Sequence, residues 1–137
     1  MGLVLLLREG SMILNRKQLI EQHVDKLAEK RDKWINRNGY FYKNDHSYMK
    51  FLVGENARVL ELGCGTGQLL NALNPSHGVG VDLSANVVNI AQKNYPNLEF
   101  IQGDIENPEL IKSLEGTFDY IILSDTLGFL DDCEETF

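Results

Sequence analysis

The sequence predicts an α/β protein whose core is a doubly wound parallel β-sheet preceded by N-terminal helices. Four short apolar runs lie between residues 58 and 123, and segments of helical length separate them. The first run leads into a glycine-rich turn and then into a helix, which is typical of sheets that bind nucleotides. Both observations favour parallel strands joined by right-handed crossovers.

Composition bounds the class of protein. The 137 residues are 43% hydrophobic and 24% charged, as expected for a globular domain rather than a disordered or fibrous chain. A net charge of −7 argues against binding to a nucleic-acid backbone. The apolar run at residues 3–7 is too short to span a bilayer. We therefore expect neither nucleic acid nor membrane as a partner.

The two cysteines, Cys64 and Cys133, are far apart and form no CxxC motif. No histidine cluster accompanies them, so the sequence suggests neither a disulfide framework nor a metal site. These features favour a cytoplasmic location.

Three segments are predicted along the chain. We interpret residues 1–11 as a leader or tag-like extension, because Met12 is a plausible natural start. Residues 12–55 form an N-terminal helical segment, and residues 56–137 form the sheet domain.

Helical spacing of apolar residues, Leu27 among them, predicts an amphipathic helix over 17–34 that covers an edge of the core. The aromatic stretch with Gly39 predicts a loop over 36–45, followed by a short helix at 47–52.

Within the sheet domain the order β-α-β-α-β-α-β is predicted. The strands are expected at 58–62, 78–81, 98–101 and 118–123, and the helices at 68–73, 85–94 and 108–114.

The most informative motif follows the first strand, where Gly63-Cys64-Gly65-Thr66-Gly67 precedes a helix. Glycine tolerates positive φ and has no Cβ, so the backbone turns tightly and approaches a ligand closely. The ligand is expected at the carboxyl ends of the strands.

Polar groups follow the other strands as well. Asp82 ends the second strand ~20 residues after the first glycine, the distance typical of a carboxylate that binds ribose hydroxyls. The third strand is followed by Gly103-Asp104 and the fourth by Ser124-Asp125. Four successive strand ends thus deliver polar groups to one edge.

In this order the motifs Glu61-Leu-Gly-Cys-Gly-Thr-Gly67, Val81-Asp82, Gly103-Asp104 and 118–124 resemble those of class I S-adenosylmethionine-dependent methyltransferases. The resemblance covers roughly residues 56–130. It implies a Rossmann-like fold with strand order 3-2-1-4-5-7-6, of which about four of seven strands lie in this chain, and S-adenosyl-L-methionine as the coenzyme.

For the methionine and ribose part, the resemblance implies that Gly63, Gly65 and Gly67 line the coenzyme. Glu61 fixes the loop or contacts the amino acid portion, and Asp82 binds the ribose hydroxyls. A simpler alternative is that Glu61 and Asp82 only cap loops.

For the adenine, the resemblance implies that Leu83 packs against its face, Asp104 accepts from its amino group and the Ile105 backbone completes the recognition. Ser124 and Asp125 border the methyl group. The alternatives are that Asp104 is a turn residue and that Asp125 caps a helix.

The resemblance also implies that the aromatic stretch folds over the coenzyme as a lid, with the hydroxyl of Tyr40 or Tyr42 reaching the coenzyme carboxylate. Ordinary helix packing is the alternative, and it is the interpretation favoured for Phe41 and His46. A catalytic base is required only for a poorly acidic acceptor, and Asp125 or His46 are the candidates. The acceptor is expected to be a small molecule or a sugar-linked compound.

Two other functions remain open. An NAD-dependent oxidoreductase uses GxGxxG, but the sixth position here is Gln68 and the glycine falls at Gly67. A non-catalytic binding domain on the same fold contradicts no motif.

The fourth strand has a further implication. If the last three strands are missing, its run 120–123 lies at an open, apolar sheet edge. We expect a homodimer through that edge, or a partner chain that covers it.

Overall fold

The computed structural model describes residues 15–37, 39–114 and 116–123. Two helices, α1 (Arg16–Arg37) and α2 (Gly39–Val53), precede the alternating part of the chain. That part consists of β1 (Arg58–Leu62), α3 (Gln68–Ala72), β2 (His77–Asp82), α4 (Ala85–Asn94), β3 (Glu99–Gln102), α5 (Pro108–Ser113) and β4 (Tyr120–Leu123). The predicted alternation is confirmed, with small shifts at the ends of elements.

The four strands form one parallel sheet in the order β3-β2-β1-β4. In the registers of β1 with its two neighbours, Leu62 pairs with Val81 of β2 and with Leu123 of β4. Because parallel strands run in the same direction, the segments after β1, β2 and β3 emerge at the same edge of the sheet. The predicted doubly wound sheet is confirmed, and its carboxyl edge is where a ligand is expected.

Helices cover both faces of the sheet. Residues of β1 alternate between two core clusters, with Val59 in one and Leu60 in the other. The Val59 cluster includes residues of α2, α3 and α4, whereas residues of α5 pack against the Leu60 cluster. This alternation is the physical basis of the doubly wound arrangement.

On the face of the sheet that bears α3, β2 presents glycine. A Cβ on Gly80 would lie 2.8 Å from the Cβ of Cys64 and 2.8 Å from Cδ1 of Phe100. Only hydrogen fits there, and so the turn after β1 packs directly on β2.

The loop predicted over 36–45 is wrong, because α2 begins at Gly39. Its last turns place Met49 and the buried Val53 against the core, and this tertiary packing supports the helix despite its weak local signals. Glycine costs little at the first residue of a helix. The helix ends at Val53, and the next residue, Gly54, has a φ of 77° and donates its N–H to the Lys50 carbonyl over 2.9 Å.

Helix α1 is longer than predicted, and a reciprocal capping pair precedes it. The Gln18 N–H donates to Asn15 Oδ1 over 2.9 Å, and the Asn15 N–H donates to Gln18 Oε1 over 3.0 Å. Ala28 is buried in the helix, whereas Leu27, which was expected to face the core, is 39% exposed. The buried face of α1 is therefore rotated away from Leu27. None of the helices in the described ranges is both long and apolar enough to cross a bilayer.

Candidate functional site

The glycine turn between β1 and α3 folds back onto the end of β2. The N–H groups of Gly63 and Cys64 both donate to the Val81 carbonyl, over 2.7 and 3.0 Å, and the Gly67 N–H donates to the Cys64 carbonyl over 3.1 Å. Gly63, Gly65 and Gly67 all have positive φ, as the motif predicted. These hydrogen bonds place the turn at the carboxyl edge of the sheet.

Asp82 binds the turn. Its Oδ2 accepts from the Gly65 N–H over 2.9 Å, and its Oδ1 accepts from the Ser84 N–H over 3.1 Å. The structure therefore shows the loop-supporting role that was considered as the alternative. Ribose binding stays a prediction, and it is compatible with this role because an ionised carboxylate accepts about four hydrogen bonds.

Glu61 lies beneath the turn and is only 2% exposed. The Leu70 backbone hydrogen-bonds its carboxyl group, which places that group beside the start of α3. Its Oε2 has no hydrogen-bond partner within residues 15–37, 39–114 and 116–123. Burial raises the pKa of Glu61 to about 8, the charge of Asp82 adds to the increase, and the Leu70 hydrogen bond opposes it.

A buried carboxyl oxygen without a partner is unusual in a native protein and calls for an explanation. Here it lies beside a turn shaped for a ligand, so a donor or a cation from that ligand is a suitable partner for Glu61. The residues present thus fit a coenzyme with an amino acid portion.

After β3 the chain forms a tight turn around Asp104. Its Oδ1 accepts from the Glu106 N–H over 2.9 Å, and its carbonyl accepts from the Asn107 N–H over 2.9 Å. Asp104 is therefore a turn residue, as the alternative held, and the structure does not test its contact with adenine. The side chain of Ile105 is 8% exposed and lies in the core, which leaves its backbone for ligand recognition.

A polar stripe on α1, defined here as Lys17, Glu21 and Asp25, contacts the carboxyl ends of β2 and β3. Lys17 Nζ contacts Asp104 Oδ2 and, over 2.6 Å, Glu106 Oε2.

The other two residues of the stripe contact Gln102 and Ser84, which are neighbours of Leu83. Glu21 Oε1 accepts from Gln102 Nε2 over 3.3 Å, and Gln102 Nε2 also donates to the Leu83 carbonyl over 3.3 Å. Asp25 Oδ1 accepts from the hydroxyl of Ser84.

Sequence reasoning missed this stripe because charged residues between apolar ones suggest a solvent-exposed helix face. The spacing of four residues from Lys17 to Glu21 to Asp25 is the signal that could have found it, since it places all three on one face.

Few of the residues predicted for the lid, the methyl group and the catalytic base lie within the described residues. His46 lies half-buried on α2, which packs against α3; burial lowers the pKa of His46, and the nearby Asp45 opposes that change. The side chain of Tyr42, like those of Tyr40 and Phe41, lies outside the described residues, and so do Ser124 and Asp125.

Cys64 fills space in the turn. It is 6% exposed, and burial, together with the nearby Asp82 and Glu61 carboxyl groups, raises the pKa of its thiol. A thiol held in its neutral form is a poor nucleophile. Within the described ranges, no group of three or more His, Cys, Asp or Glu residues is arranged to hold a metal ion.

A family model described as a methyltransferase domain matches residues 59–137. The malonyl-[acyl-carrier protein] O-methyltransferase of Halalkalibacterium halodurans is 33% identical over 134 residues, covering 88% of this chain and 48% of that protein. The protein of the same name from Bacillus anthracis is 29% identical over 130 residues, covering 87% of this chain and 46% of its own length. The chain spans about half the length of these curated relatives.

Solved structures show the same fold. A SAM-dependent methyltransferase from Thermotoga maritima superposes with a TM-score of 0.68 at 26% identity, covering 83% of this chain and 52% of that one. The magnesium protoporphyrin IX methyltransferase of Synechocystis, solved with bound SAM, gives a TM-score of 0.67 at 18% identity, covering 92% of this chain and 69% of that one. The family match includes the glycine turn, Asp82 and Asp104, and the chain belongs to the class I S-adenosylmethionine-dependent methyltransferases.

Proposed function

We propose that this chain binds S-adenosylmethionine at the carboxyl ends of β1, β2 and β3 and supplies the coenzyme-binding half of a methyltransferase. The observation that carries the proposal is the buried Glu61 carboxyl group, which has an unpartnered Oε2 beneath a glycine turn that Asp82 holds in place. Family membership supports the same coenzyme and does not favour the NAD-dependent alternative.

For the methionine and ribose part, Gly63, Gly65 and Gly67 line the coenzyme, where the absence of side chains permits close approach. Glu61 receives the amino group of the methionine portion, since that group supplies a donor for Oε2. Asp82 keeps its contacts with the Gly65 and Ser84 backbone and also accepts from the ribose hydroxyls.

For the adenine part, Leu83 packs against the ring, Asp104 accepts from the amino group and the Ile105 backbone completes the recognition. All three follow β2 or β3 at the edge where the glycine turn lies. The partial exposure of Leu83 and Asp104 supports these roles, because a ligand can reach both side chains.

When bound, the coenzyme supplies a methyl group that the positive charge of the sulfonium already activates. The chain contributes alignment and exclusion of water rather than a catalytic triad. Within this proposal Ser124 borders the methyl group, Tyr42 belongs to a lid, and Asp125 or His46 accepts a proton when the acceptor is weakly acidic.

The acceptor is a small molecule or a sugar-linked compound. Curated relatives are named for the malonyl group of an acyl-carrier protein, which supports a carboxylate as one acceptor to test. Because a carboxylate is ionised at neutral pH, methylating it requires no base. Transfer of labelled methyl to malonyl thioesters and to sugar nucleotides distinguishes the two. Labelling of neither, by a chain that binds the coenzyme, favours the non-catalytic alternative.

We also propose a cytoplasmic location, because the two cysteines are widely spaced and neither nucleic acid nor membrane is expected as a partner. Cell fractionation tests it, and recovery of the protein in the membrane or extracellular fraction contradicts it.

Calorimetric titration with S-adenosylhomocysteine tests the proposed site. We expect saturable binding that Asp82→Ala abolishes and that NAD does not reproduce. Asp119→Ala is the matched control, because Asp119 Oδ2 also accepts a backbone N–H, that of Arg58 over 2.8 Å, but lies at the opposite end of the sheet. A folded chain that binds NAD instead contradicts the proposal.

A further inference from the structure

Lys17 occupies an unfavourable place on α1. The capping pair of Asn15 and Gln18 sets the start of the helix at Arg16, so Lys17 falls in the first turn. The positive end of the helix dipole opposes a cation there. Other groups near Lys17 therefore have to offset this unfavourable interaction with the helix dipole.

Two carboxylates provide the compensation. Lys17 Nζ contacts Asp104 Oδ2 and lies 2.6 Å from Glu106 Oε2. The side chains of Lys17, Asp104 and Glu106 are 21%, 33% and 11% exposed, so water screens these contacts only in part. Although burial alone would lower the pKa of Lys17, the two carboxylates raise it above its ordinary value. The ammonium is therefore charged at neutral pH.

The ammonium determines how the two carboxylates are arranged. Asp104 and Glu106 are two residues apart, and both bind the same cation. Without that cation two neighbouring carboxylates repel each other, and one of them turns away. Lys17 thus keeps the Asp104 carboxylate facing α1.

Asp104 retains room for another donor. Its Oδ1 holds the Glu106 N–H over 2.9 Å and its Oδ2 holds Lys17, whereas an ionised carboxylate accepts about four hydrogen bonds. With a third of the side chain exposed, an incoming amino group reaches Asp104 without displacing Lys17.

The rest of the polar stripe anchors α1 independently of Lys17. Asp25 accepts from the Ser84 hydroxyl and, over 3.3 Å, from the Asn86 N–H, and its carbonyl accepts from Asn86 Nδ2 over 2.9 Å. Glu21 adds its contact with Gln102. Removing the Lys17 charge therefore changes the surroundings of Asp104 while α1 remains docked.

We propose that Lys17 is a positioning residue for coenzyme recognition, which holds the Asp104 carboxylate oriented to accept the 6-amino group of adenine. This inference rests on the proposed function, within which it identifies what makes the site selective for adenine. An ionised carboxylate only accepts hydrogen bonds, and a 6-oxo purine presents another acceptor in place of the amino donor. Lys17 thereby supports discrimination between the two purines.

The test compares S-adenosylhomocysteine with S-inosylhomocysteine, its 6-oxo counterpart, by calorimetry on the whole chain. We expect Lys17→Met to weaken binding of the adenine ligand about tenfold and to affect the 6-oxo ligand less. The ratio of the two affinities should therefore fall. Lys17→Arg keeps the charge and restores most of the selectivity. Lys26→Met is the matched control, since Lys26 is exposed on the same helix.

Three outcomes overturn the inference. Tighter adenine binding by Lys17→Met shows that Lys17 competes with the ligand, and an equal loss for both ligands shows a merely structural role. Unchanged binding shows no role. If Lys17→Met does not fold, the same comparison of ligands is made with Lys17→Gln, which keeps a hydrogen-bond donor without the charge. A wild-type chain that binds neither ligand overturns the proposed function itself, whereas wild-type binding with unchanged variants overturns only the role of Lys17.

Discussion

The N–H of Gly65 donates to Asp82 Oδ2 over 2.9 Å and thereby joins the turn after β1 to the last residue of β2. One carboxylate thus supports the turn and, in the proposed function, also binds the ribose. Loss of the first role should lower stability, and loss of the second should lower coenzyme affinity.

Asp82→Asn separates these duties. Its amide oxygen still accepts from Gly65, but its NH₂ group faces the Ser84 donor, so we expect the free energy of unfolding to fall by about 1 kcal/mol. Coenzyme affinity should fall by more than about tenfold, because charge-assisted hydrogen bonds to the ribose are lost. Urea unfolding and calorimetry measure the two effects. Asp119→Ala should lower stability alone, and unchanged affinity in Asp82→Asn would restrict Asp82 to supporting the turn.

Three glycine-to-alanine variants should differ in cost. Gly67 has a φ of 83°, and a Cβ there would lie 2.6 Å from Cζ of Phe100, so Gly67→Ala should lower the free energy of unfolding by about 2–4 kcal/mol. Gly65→Ala has a φ of 56° but no described atom within 4 Å, and strain alone should cost about 1 kcal/mol.

Gly39→Ala completes the series as the control. Gly39 has neither positive φ nor a described atom within 4 Å of the added Cβ, so the change should be neutral or stabilise the protein by about 0.5 kcal/mol. Chemical denaturation gives all three values. Equal costs at Gly65 and Gly67 would contradict the contact with Phe100.

Stability should depend on pH through Glu61. The pKa of its carboxyl group rises to about 8 in the folded chain from an ordinary value of 4.5, so the unfolded chain loses this proton first. The stability that the protonated Glu61 carboxyl group contributes is fully present below the pKa of Glu61 in the unfolded chain. It falls as pH rises above that value and is lost once pH passes the pKa of Glu61 in the folded chain.

Glu61→Gln removes this ionisation. The free energy of unfolding of the variant, relative to that of the wild type, should therefore rise by about 1–3 kcal/mol between pH ~5 and pH ~8. The variant should nevertheless bind S-adenosylhomocysteine more weakly, because the ammonium group of the ligand favours ionisation of Glu61 and pairs with the resulting carboxylate, whereas glutamine supplies no charge. Unfolding curves at both pH values measure the first effect and calorimetry the second. Parallel pH profiles would show that Glu61 does not ionise in this range.

The fourth strand should mediate self-association. Among the strands of the described residues, β4 lies at one edge of the sheet, and its Tyr120 and Ile121 are 42% and 61% exposed. Unpaired strand edges with apolar side chains favour pairing with another chain. We expect concentration-dependent association in sedimentation velocity, which Ile121→Lys weakens. Phe51→Lys is the control, because Phe51 is 81% exposed on α2. A monomer at every concentration, or an equal effect of both variants, contradicts the prediction.

Local patterns predicted most of the sheet domain. The runs around β1 and β2 are short segments rich in Val and Leu, bounded by glycine and polar residues, and such segments become buried parallel strands in many contexts. Helix α2 was predicted only in part, because Gly39 and the neighbouring aromatic residues suggest a loop locally. Packing of Met49 and Val53 against the core outweighs that preference.

The sequence by itself determined the alternation of strands and helices, the glycine turn and the position of Asp82, because these depend on the period of apolar residues and on the freedom of a backbone without Cβ. The order of the strands in the sheet was implied by the family resemblance. Only the tertiary structure decided that Lys17 contacts Asp104 and that Glu61 is buried with an unpartnered oxygen. Residues 17 and 104 are distant along the chain, and no local pattern encodes which face of α1 turns towards the sheet. Burial and charge pairing depend on that docking, and so they appear only once the chain has folded.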